Sequence, residues 1–339
     1  MRIGIVASAA ATTDVLQRAL GLKPEHHVIW VAASGADAVE RCSTDPPDLV
    51  LMDLLLAGMG GVEATRRIMT GTPCAILLVT ASVRVSAERV FAAMGHGALD
   101  AIDTPVPANG NLREVAAPLL AKINSFSALI AGTKDLRGVA TGRHRASRSS
   151  HDRLVAIGAS AGGPAALATV LRQLPKDFPA GIVIVQHVDQ QFAGGLAEWL
   201  DQDTALSVKV AKDGEQPTAG SVLLAGTSDH LVLKTPDRLG YTAEPADQVY
   251  RPSVDVFFKS VCRLWRGDVV GVLLSGMGRD GALGLKALRD RGHYTIAQDE
   301  ATSAVYGMPK AAAALNAAVD VLAAERIAPK LMERLARKN

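Results

Sequence analysis

The stretch Leu154-Val-Ala-Ile-Gly-Ala-Ser-Ala-Gly-Gly-Pro164 joins an apolar run to a glycine-rich turn that ends in a proline. The apolar run predicts a buried strand, the glycines permit a sharp turn, and the proline suits the first turn of a helix. A strand followed by a tight turn and a helix is the repeating unit of α/β folds with parallel sheets. We therefore expect Ser160 at the carboxyl end of a strand and near a helix N-terminus, where free N–H groups favour negative charge.

The rest of the second half continues this alternation of short apolar strands and helices. Further strands are predicted at residues 182–185, 208–210, 222–224, 269–274 and 295–297. Helices are predicted near residues 194–200, after residue 255 through 265, from residue 281, and in the Ala-rich residues to the end. The pattern predicts a C-terminal, doubly wound, mostly parallel α/β domain over residues 152–339.

The first third also alternates strands with helices. Strands are predicted at residues 3–7, 28–32, 49–52, 75–80 and 99–102, and Ser34 is the expected N-cap of the helix that runs through Cys42. Five strands that alternate with five helices predict a parallel sheet covered on both faces. We assign this domain to residues 1–124. Residues 125–151 are predicted to be a flexible linker, because the stretch Thr141-Gly-Arg-His-Arg-Ala-Ser-Arg-Ser-Ser150 is basic and polar and has no periodicity.

Composition narrows the class of function. A formal net charge of +2 argues against a nucleic-acid coat or a polybasic membrane anchor. The three cysteines lie far apart without metal-ligand spacing, which is typical of a reducing cytoplasm rather than of a disulfide framework or a zinc site. The N-terminal residues lead directly into a strand, and no apolar run approaches the ~20 residues needed to span a bilayer. We expect a cytoplasmic protein with no nucleic-acid partner and no membrane insertion.

Three interpretations of the Ser160 turn compete when the turn is taken alone. The spacing Gly158-x-Ser-x-Gly162 fits the nucleophile elbow of hydrolases. A glycine-rich turn at a helix N-terminus can also bind a phosphate group, and a serine there can serve only as a helix cap.

The residues that follow two further predicted strands favour the interpretation of Ser160 as a nucleophile. The predicted strand at 182–185 is followed by His187, and the strand at 269–274 leads into a glycine-rich turn that contains Asp280. Taken alone, His187 could be structural and Asp280 could cap the next helix. The carboxyl ends of parallel strands meet at one edge, however, so Ser160, His187 and Asp280 can act as nucleophile, general base and orienting carboxylate. Their order along the chain differs from that of α/β-hydrolases, which excludes that fold.

The second half resembles the CheB family of chemoreceptor protein-glutamate methylesterases, and the resemblance extends over almost the whole chain. Its motifs are Ile157-Gly-Ala-Ser-Ala-Gly-Gly-Pro164, Gln186-His187, Arg251-Pro-Ser-Val-Asp255, Ser275-Gly-Met-Gly-Arg-Asp-Gly281 and Gln298-Asp-Glu-Ala-Thr-Ser-Ala-Val-Tyr-Gly-Met-Pro309. The resemblance implies a triad of Ser160, His187 and Asp280, with the Met277 N–H in the oxyanion hole. Ala161 stands where the family usually has Thr, so a second contact from that side chain would be missing.

The resemblance also implies a reaction and partners. The expected reaction is hydrolysis of glutamate γ-methyl esters on the cytoplasmic helices of methyl-accepting chemoreceptors, with release of methanol. Family members can also deamidate receptor glutamines. No cofactor is expected for this chemistry, and a chemotaxis-type histidine kinase is the expected signalling partner.

The first half resembles a flavodoxin-like receiver of two-component systems. Asp53 holds the phospho-acceptor position at a strand end, and Thr80 matches the hydroxyl that senses the phosphoryl group. Ala7 and Ser8 stand where receivers place the acidic pair that binds Mg²⁺, and Asp103 replaces the usual lysine. We therefore predict weak Mg²⁺ binding and poor phosphorylation of Asp53.

Two questions remain open at the level of the sequence. The runs Met1-Arg-Ile-Gly-Ile-Val6 and Val90-Phe-Ala-Ala-Met-Gly-His-Gly-Ala-Leu-Asp100 resemble most the methylesterases of Wsp-type surface-sensing systems, which feed a diguanylate cyclase rather than the flagellar motor. A different class of function is a non-catalytic regulator that docks on a receptor or kinase through a degenerate receiver. The complete set of Ser160, His187 and Asp280 favours the enzyme. A nucleotide-binding protein is disfavoured, since the glycine-rich loop has no Lys-Ser/Thr continuation.

Overall fold

The computed structural model describes residues 1–83, 85–106, 111–131 and 153–335. The chain divides into two compact units, Met1–Leu136 and Arg137–Asn339. The predicted domain boundary after residue 124 falls inside a helix, Leu112–Ala131, which continues through the first residues of the predicted linker. The rest of that linker, from residue 132 to 151, lies outside the described residues, and its flexibility stays a prediction.

In the described part of the first unit, five parallel strands form the sheet that the sequence predicts. Their order across the sheet is β2-β1-β3-β4-β5. The strands are β1 (Arg2–Val6), β2 (His27–Ala32), β3 (Leu49–Asp53), β4 (Ala75–Thr80) and β5 (Asp100–Asp103). The helices are α1 (Ala10–Leu20), α2 (Gly35–Thr44), α3 (Gly61–Gly71), α4 (Ala87–Gly95) and α5 (Leu112–Ala131).

Local sequence explains the elements of this unit. The first four residues of β3 are apolar and have no exposed surface, as expected for a central strand of a parallel sheet. The side chain of Ser34 accepts a hydrogen bond from the N–H of Asp37 at 3.2 Å, which confirms the predicted cap of α2. The register pairs Asp53 with Val79 and Thr80 with Asp103, so these polar residues lie at one edge.

The second unit has a seven-stranded sheet in which every neighbouring pair is parallel, and its order is β14-β13-β12-β6-β7-β9-β8. The strands are β6 (Arg153–Ala159), β7 (Gly181–Gln186), β8 (Ser207–Val210), β9 (Ser221–Leu224), β12 (Asp268–Leu273), β13 (Tyr294–Gln298) and β14 (Asp320–Leu322), and β10 (His230–Leu233) pairs antiparallel with β11 (Leu239–Thr242). The helices are α6 (Gly163–Leu171), α7 (Gln190–Gln202), α8 (Val254–Leu264), α9 (Ala282–Asp290), α10 (Met308–Ala314) and α11 (Ala324–Leu335).

The strand order places the site. From the central strand β6 the chain moves to β7 on one side and later to β12 on the other. Such a reversal opens a crevice at the carboxyl edge of the sheet, where open α/β proteins bind ligands. The three predicted site residues follow these three strands, which confirms the doubly wound architecture as the frame that brings them to one edge.

Two elements differ from the sequence prediction. The β10–β11 hairpin was not predicted, because each strand has only four residues and carries no long apolar pattern. The short edge strand β14 interrupts the Ala-rich C-terminal residues, which were predicted to be helical throughout. At these residues, parallel pairing with β13 outweighs the intrinsic helix propensity of the sequence. No helix within the described residues is long and apolar enough to cross a membrane.

Candidate active site

Ser160 directly follows β6 and is 6% exposed. Its N–H donates to the carbonyl of Ser275 at 3.0 Å, and its carbonyl accepts from the N–H of Gly163 at 2.8 Å and from the side chain of Gln186 at 2.9 Å. Gly162 has a φ of +77°, and a Cβ there would lie 2.6 Å from the side chain of Ala304. The backbone of the turn is thus fixed on both sides of the serine, and only glycine fits at 162.

Ser275 connects this turn by hydrogen bonds to two later parts of the chain. The Ser275 Oγ donates to the carbonyl of Ala161 at 2.7 Å and accepts from the N–H of Val305 at 3.0 Å. The Ser275 N–H donates to the buried side chain of Gln298 at 2.7 Å. The long motif at 298–309 therefore supports the Ser160 turn through its hydrogen bonds with Ser275.

His187 follows β7, and its Nε2 lies 2.8 Å from Oδ2 of Asp280. Because an ionised carboxylate can only accept, this contact places the imidazole proton on Nε2. The other ring nitrogen, Nδ1, is buried and has no hydrogen-bond partner among the described residues. The ring of Tyr250 stacks on the imidazole with a centroid distance of 3.9 Å and an interplanar angle of 10°. The free lone pair on Nδ1 is what a general base needs.

Asp280 is the most heavily hydrogen-bonded group of the site. Its Oδ2 accepts from His187 and from the N–H of Val254 at 2.6 Å. Its Oδ1 accepts from the Ser253 Oγ at 2.9 Å and from the N–H groups of Asp255 and Gly281, both at 3.0 Å. Burial alone would raise the pKa of Asp280, but His187 and these backbone N–H groups outweigh it and hold the pKa below its usual value. The carboxylate stays ionised and mainly caps α8 rather than the helix that follows it.

The structure adds two residues to the site that the sequence did not single out, Ser253 and the histidine that holds it, His230. Ser253 is the N-cap of α8, and its N–H donates to Nδ1 of the fully buried His230 at 3.0 Å. The Nε2 of His230 lies 3.0 Å from the carbonyl of Pro245, so this histidine is a neutral bridge between two backbone groups. The Ser-Val-Asp pattern could have indicated the cap; nothing in the sequence indicated His230.

Met277 lies in the turn between β12 and Asp280. Its N–H has no hydrogen-bond acceptor among the residues that the structure describes. The carbonyl of the preceding Gly276 accepts from the N–H groups of Gly307 at 3.0 Å and Met308 at 2.8 Å, which directs the N–H of the same peptide to the opposite side. A Cβ on Gly276 would lie 2.8 Å from the Cβ of Ser160, so this turn packs directly against the serine.

Asp255 is a second buried carboxyl close to Asp280. It accepts a hydrogen bond from the N–H of Gly284 at 2.6 Å. Burial, together with the charge of Asp280, raises the pKa of Asp255 to about 6. The pKa of Asp255 is therefore shifted in the opposite direction to that of Asp280, although the two share one helix N-terminus.

At the carboxyl edge of the first unit, Asp53 accepts from the N–H of Leu55 at 2.9 Å. Thr80 is buried, and its hydroxyl lies 3.3 Å from that of Ser86. Asp103 is exposed at the end of β5 and accepts from the N–H of Val83 at 2.7 Å. The carboxylate that replaces the receiver lysine therefore fixes the loop after β4 and adds negative charge to the edge that holds Asp53.

The donor groups at this edge do not fit Mg²⁺. Within the described residues there is no group of three or more His, Cys, Asp or Glu side chains that could hold a metal ion. Ala7 offers no ligand, and the Ser8 hydroxyl lies 3.5 Å from the carbonyl of Leu55. A divalent cation prefers several carboxylate oxygens, and here Asp53 is the acidic residue that remains in the receiver pattern.

Comparisons with known proteins assign a family to each half of the chain. The model of the CheB methylesterase family matches residues 155–331, and that of the response regulator receiver domain matches residues 3–116. A protein-glutamate methylesterase/protein-glutamine glutaminase of Pseudomonas aeruginosa is 56% identical over 98% of this chain and 99% of its own length. One from Burkholderia thailandensis is 56% identical over 100% of this chain and 99% of its own.

A solved structure resembles the second unit. The CheB methylesterase catalytic domain of Thermotoga maritima is 36% identical and has a TM-score of 0.52, with 54% of this chain and 98% of that chain covered. Together with the relatives that match along the full length, these matches show that the chain belongs to the CheB methylesterase family and carries a response regulator receiver domain in its first unit.

Proposed function

We propose that this chain is a protein-glutamate methylesterase that also has protein-glutamine glutaminase activity. Its relatives in the family are named for both activities. The observation that carries the proposal is the state of His187, whose Nε2 is held by Asp280 while its buried Nδ1 has no partner among the described residues. A base prepared in this way, at the edge where Ser160 lies, can accept the proton of the serine hydroxyl once the two come within hydrogen-bond reach.

In the first step, Ser160 attacks the γ-carbonyl carbon of a glutamate methyl ester. Nδ1 of His187 accepts the proton of the serine hydroxyl, and Asp280 stabilises the imidazolium through the proton on Nε2. The C–OCH₃ bond then breaks as His187 returns the proton to the leaving oxygen, so that methanol departs and a glutamyl ester of Ser160 remains.

The Met277 N–H is the proposed donor to the oxyanion that forms in this step. It has no acceptor among the described residues, and its turn packs against Ser160. Such a donor typically contributes ~10²–10³ in rate. Water then attacks the acyl-enzyme with His187 as base, and the glutamate carboxylate is released. With glutamine as substrate, ammonia leaves in place of methanol by the same steps.

The proposed substrates are glutamate methyl esters and glutamines on the cytoplasmic helices of methyl-accepting chemoreceptors. The proposed signalling partner is a chemotaxis-type histidine kinase. The resemblance of the first residues to Wsp-type proteins supports a role in a surface-sensing pathway. Deleting the gene should then change the level of cyclic diguanylate in the cell; an unchanged level with altered swimming adaptation would assign the chain to the motility pathway instead.

The receiver is proposed to bind Mg²⁺ weakly and to be a poor phosphate acceptor at Asp53. The support is the donor set at its carboxyl edge, where Ala7 and Ser8 supply no carboxylate and Asp103 supplies a negative charge in place of a positive one. Phosphoryl transfer needs charge neutralisation at the acceptor, and these residues oppose it.

The proposed function is tested by methanol release from a methylated receptor fragment. The wild type, Ser160→Ala, and the matched control Ser207→Ala, a change at an exposed serine of β8, are compared. We expect release by the wild type and the control and none by Ser160→Ala above background. Equal rates for Ser160→Ala would remove the triad, and no release by the wild type would favour the non-catalytic docking regulator.

A further inference from the structure

Tyr250 contacts both His187 and the turn that carries Met277, and the sequence motifs assign it no role. Its ring lies parallel to the imidazole of His187, with a centroid distance of 3.9 Å. Its hydroxyl donates to the carbonyl of Met277 at 3.2 Å. One side chain therefore contacts the general base and the turn that carries the oxyanion donor.

The stacked ring supplies a constraint that Asp280 cannot supply. The hydrogen bond from Nε2 to Asp280 fixes one corner of the imidazole but leaves the ring free to rotate about that contact. A second ring at an interplanar angle of 10° fixes the plane, because tilting the imidazole would collide with it. With the plane and one corner fixed, the direction of the Nδ1 lone pair is also fixed.

The hydroxyl constrains the turn in a similar way. The carbonyl of Gly276 is held by the N–H groups of Gly307 and Met308, and the carbonyl of Met277 is held by Tyr250. The peptide planes on both sides of the Met277 Cα are therefore fixed, and with them the direction of the Met277 N–H. An oxyanion donor depends on such preorganisation, since a donor that must reorient loses most of its effect.

We propose that Tyr250 is a positioning residue for ester hydrolysis, whose ring sets the plane of His187 and whose hydroxyl sets the oxyanion turn. The inference deepens the proposed function and rests on it. Tyr250 donates a hydrogen bond but does not transfer its proton: burial, reinforced by the charge of Asp280, raises the pKa of its phenol, which stays neutral.

Two variants separate the ring from the hydroxyl. Tyr250→Phe keeps the stack and loses the bond to Met277; we expect kcat to fall about 3-fold to 10-fold with KM unchanged, the effect of one hydrogen bond. Tyr250→Leu keeps apolar volume and loses both contacts; we expect kcat to fall about 30-fold to 100-fold, again with KM unchanged. The control is Tyr241→Phe, which removes a hydroxyl bonded to Ala211 and Gly226 and should leave kcat within about twofold.

A second measurement does not depend on activity. The ¹⁵N spectrum of the His187 imidazole should show one sharp Nε2–H form in the wild type and in Tyr250→Phe, but exchange broadening in Tyr250→Leu, because the plane of the ring is no longer fixed while Asp280 still holds Nε2–H. Thermal unfolding of each variant checks that the domain is folded. Tyr250→Leu with wild-type kcat and a single imidazole form, or Tyr250→Phe as impaired as Tyr250→Leu, would overturn the role of the ring. If the wild type releases no methanol while the imidazole spectra behave as expected, the proposed function fails and the positioning role of Tyr250 stands.

Discussion

Asp280→Asn should abolish most of the activity through a change in the tautomer of His187. The two oxygens of Asp280 accept different numbers of hydrogen bonds. Oδ2 accepts two, from His187 and from the N–H of Val254, while Oδ1 accepts three. An asparagine has one oxygen and one NH₂ group, and the oxygen will take the side with three donors. The NH₂ group then faces His187.

An NH₂ group donates, so it can bond Nε2 of His187 only if that nitrogen has lost its proton. The proton then lies on Nδ1, the nitrogen that should accept from Ser160. We expect kcat to fall by ~10³–10⁴, the size of effect known for a triad histidine in the wrong tautomer, which corresponds to about 4–5 kcal/mol in the barrier. The N–H of Val254 also loses its acceptor, at a cost of about 1–3 kcal/mol in the free energy of unfolding.

The assay is methanol release from a methylated receptor fragment, together with the ¹⁵N spectrum of His187. The matched control is Asp255→Asn, the same change at the neighbouring buried carboxyl, which accepts from Gly284 and does not contact His187. We expect the control to keep kcat within about threefold. Asp280→Asn with more than a tenth of wild-type kcat, or with its imidazole still protonated at Nε2, would refute the reasoning.

Three further predictions concern stability and the receiver. Because burial raises the pKa of Asp255 from 3.8 to about 6, the unfolded chain loses this proton first as pH rises, and the free energy of unfolding should fall by about 2 kcal/mol between pH 4 and 6. Asp255→Asn should remove this fall in urea titrations at the two pH values; an unchanged pH dependence would exclude Asp255 as its source. Gln186→Leu, which removes donors to the carbonyls of Ser160 and His187, should cost about 1–3 kcal/mol in the free energy of unfolding and lower kcat, whereas Gln173→Leu, at an exposed residue in the turn after α6, should do neither. In the receiver, Asp53 should accept little phosphate from a cognate kinase, and Ala7→Asp, Ser8→Asp and Asp103→Lys together should increase labelling that Asp53→Asn abolishes; stoichiometric labelling of the wild type would contradict this.

The parallel sheets could be predicted from the sequence because their strands are short apolar runs bounded by glycines and polar residues. Strand β4 was placed at its observed bounds, and the ends of the other long strands agree within a few residues. The hairpin and β14 could not be predicted in this way, since they are short and depend on partners distant in sequence. Helix α5 extends beyond the expected end because residues 125–131, Ser-Phe-Ser-Ala-Leu-Ile-Ala, are mainly apolar and favour continuation of the helix.

The residues of the candidate site were predictable where a strand end displayed them. Ser160, His187 and Asp280 follow neighbouring parallel strands, so the topology brings them to one edge. The sequence pattern could have indicated Ser253 as a helix cap, but not Tyr250, which lies in a loop, or His230, which begins the short strand β10, because their contacts with the site depend on tertiary packing. The tautomer of His187 likewise follows from a distance and not from a motif.

The most direct test of Ser160 as nucleophile is a rapid acid quench of the enzyme during turnover of a methylated receptor fragment. Mass mapping should find a covalent receptor–enzyme ester on the peptide that contains Ser160, and Ser160→Ala should show neither this ester nor methanol release. Methanol release by Ser160→Ala at the wild-type rate would contradict the assignment of Ser160, and with it the proposed roles of His187 and Asp280.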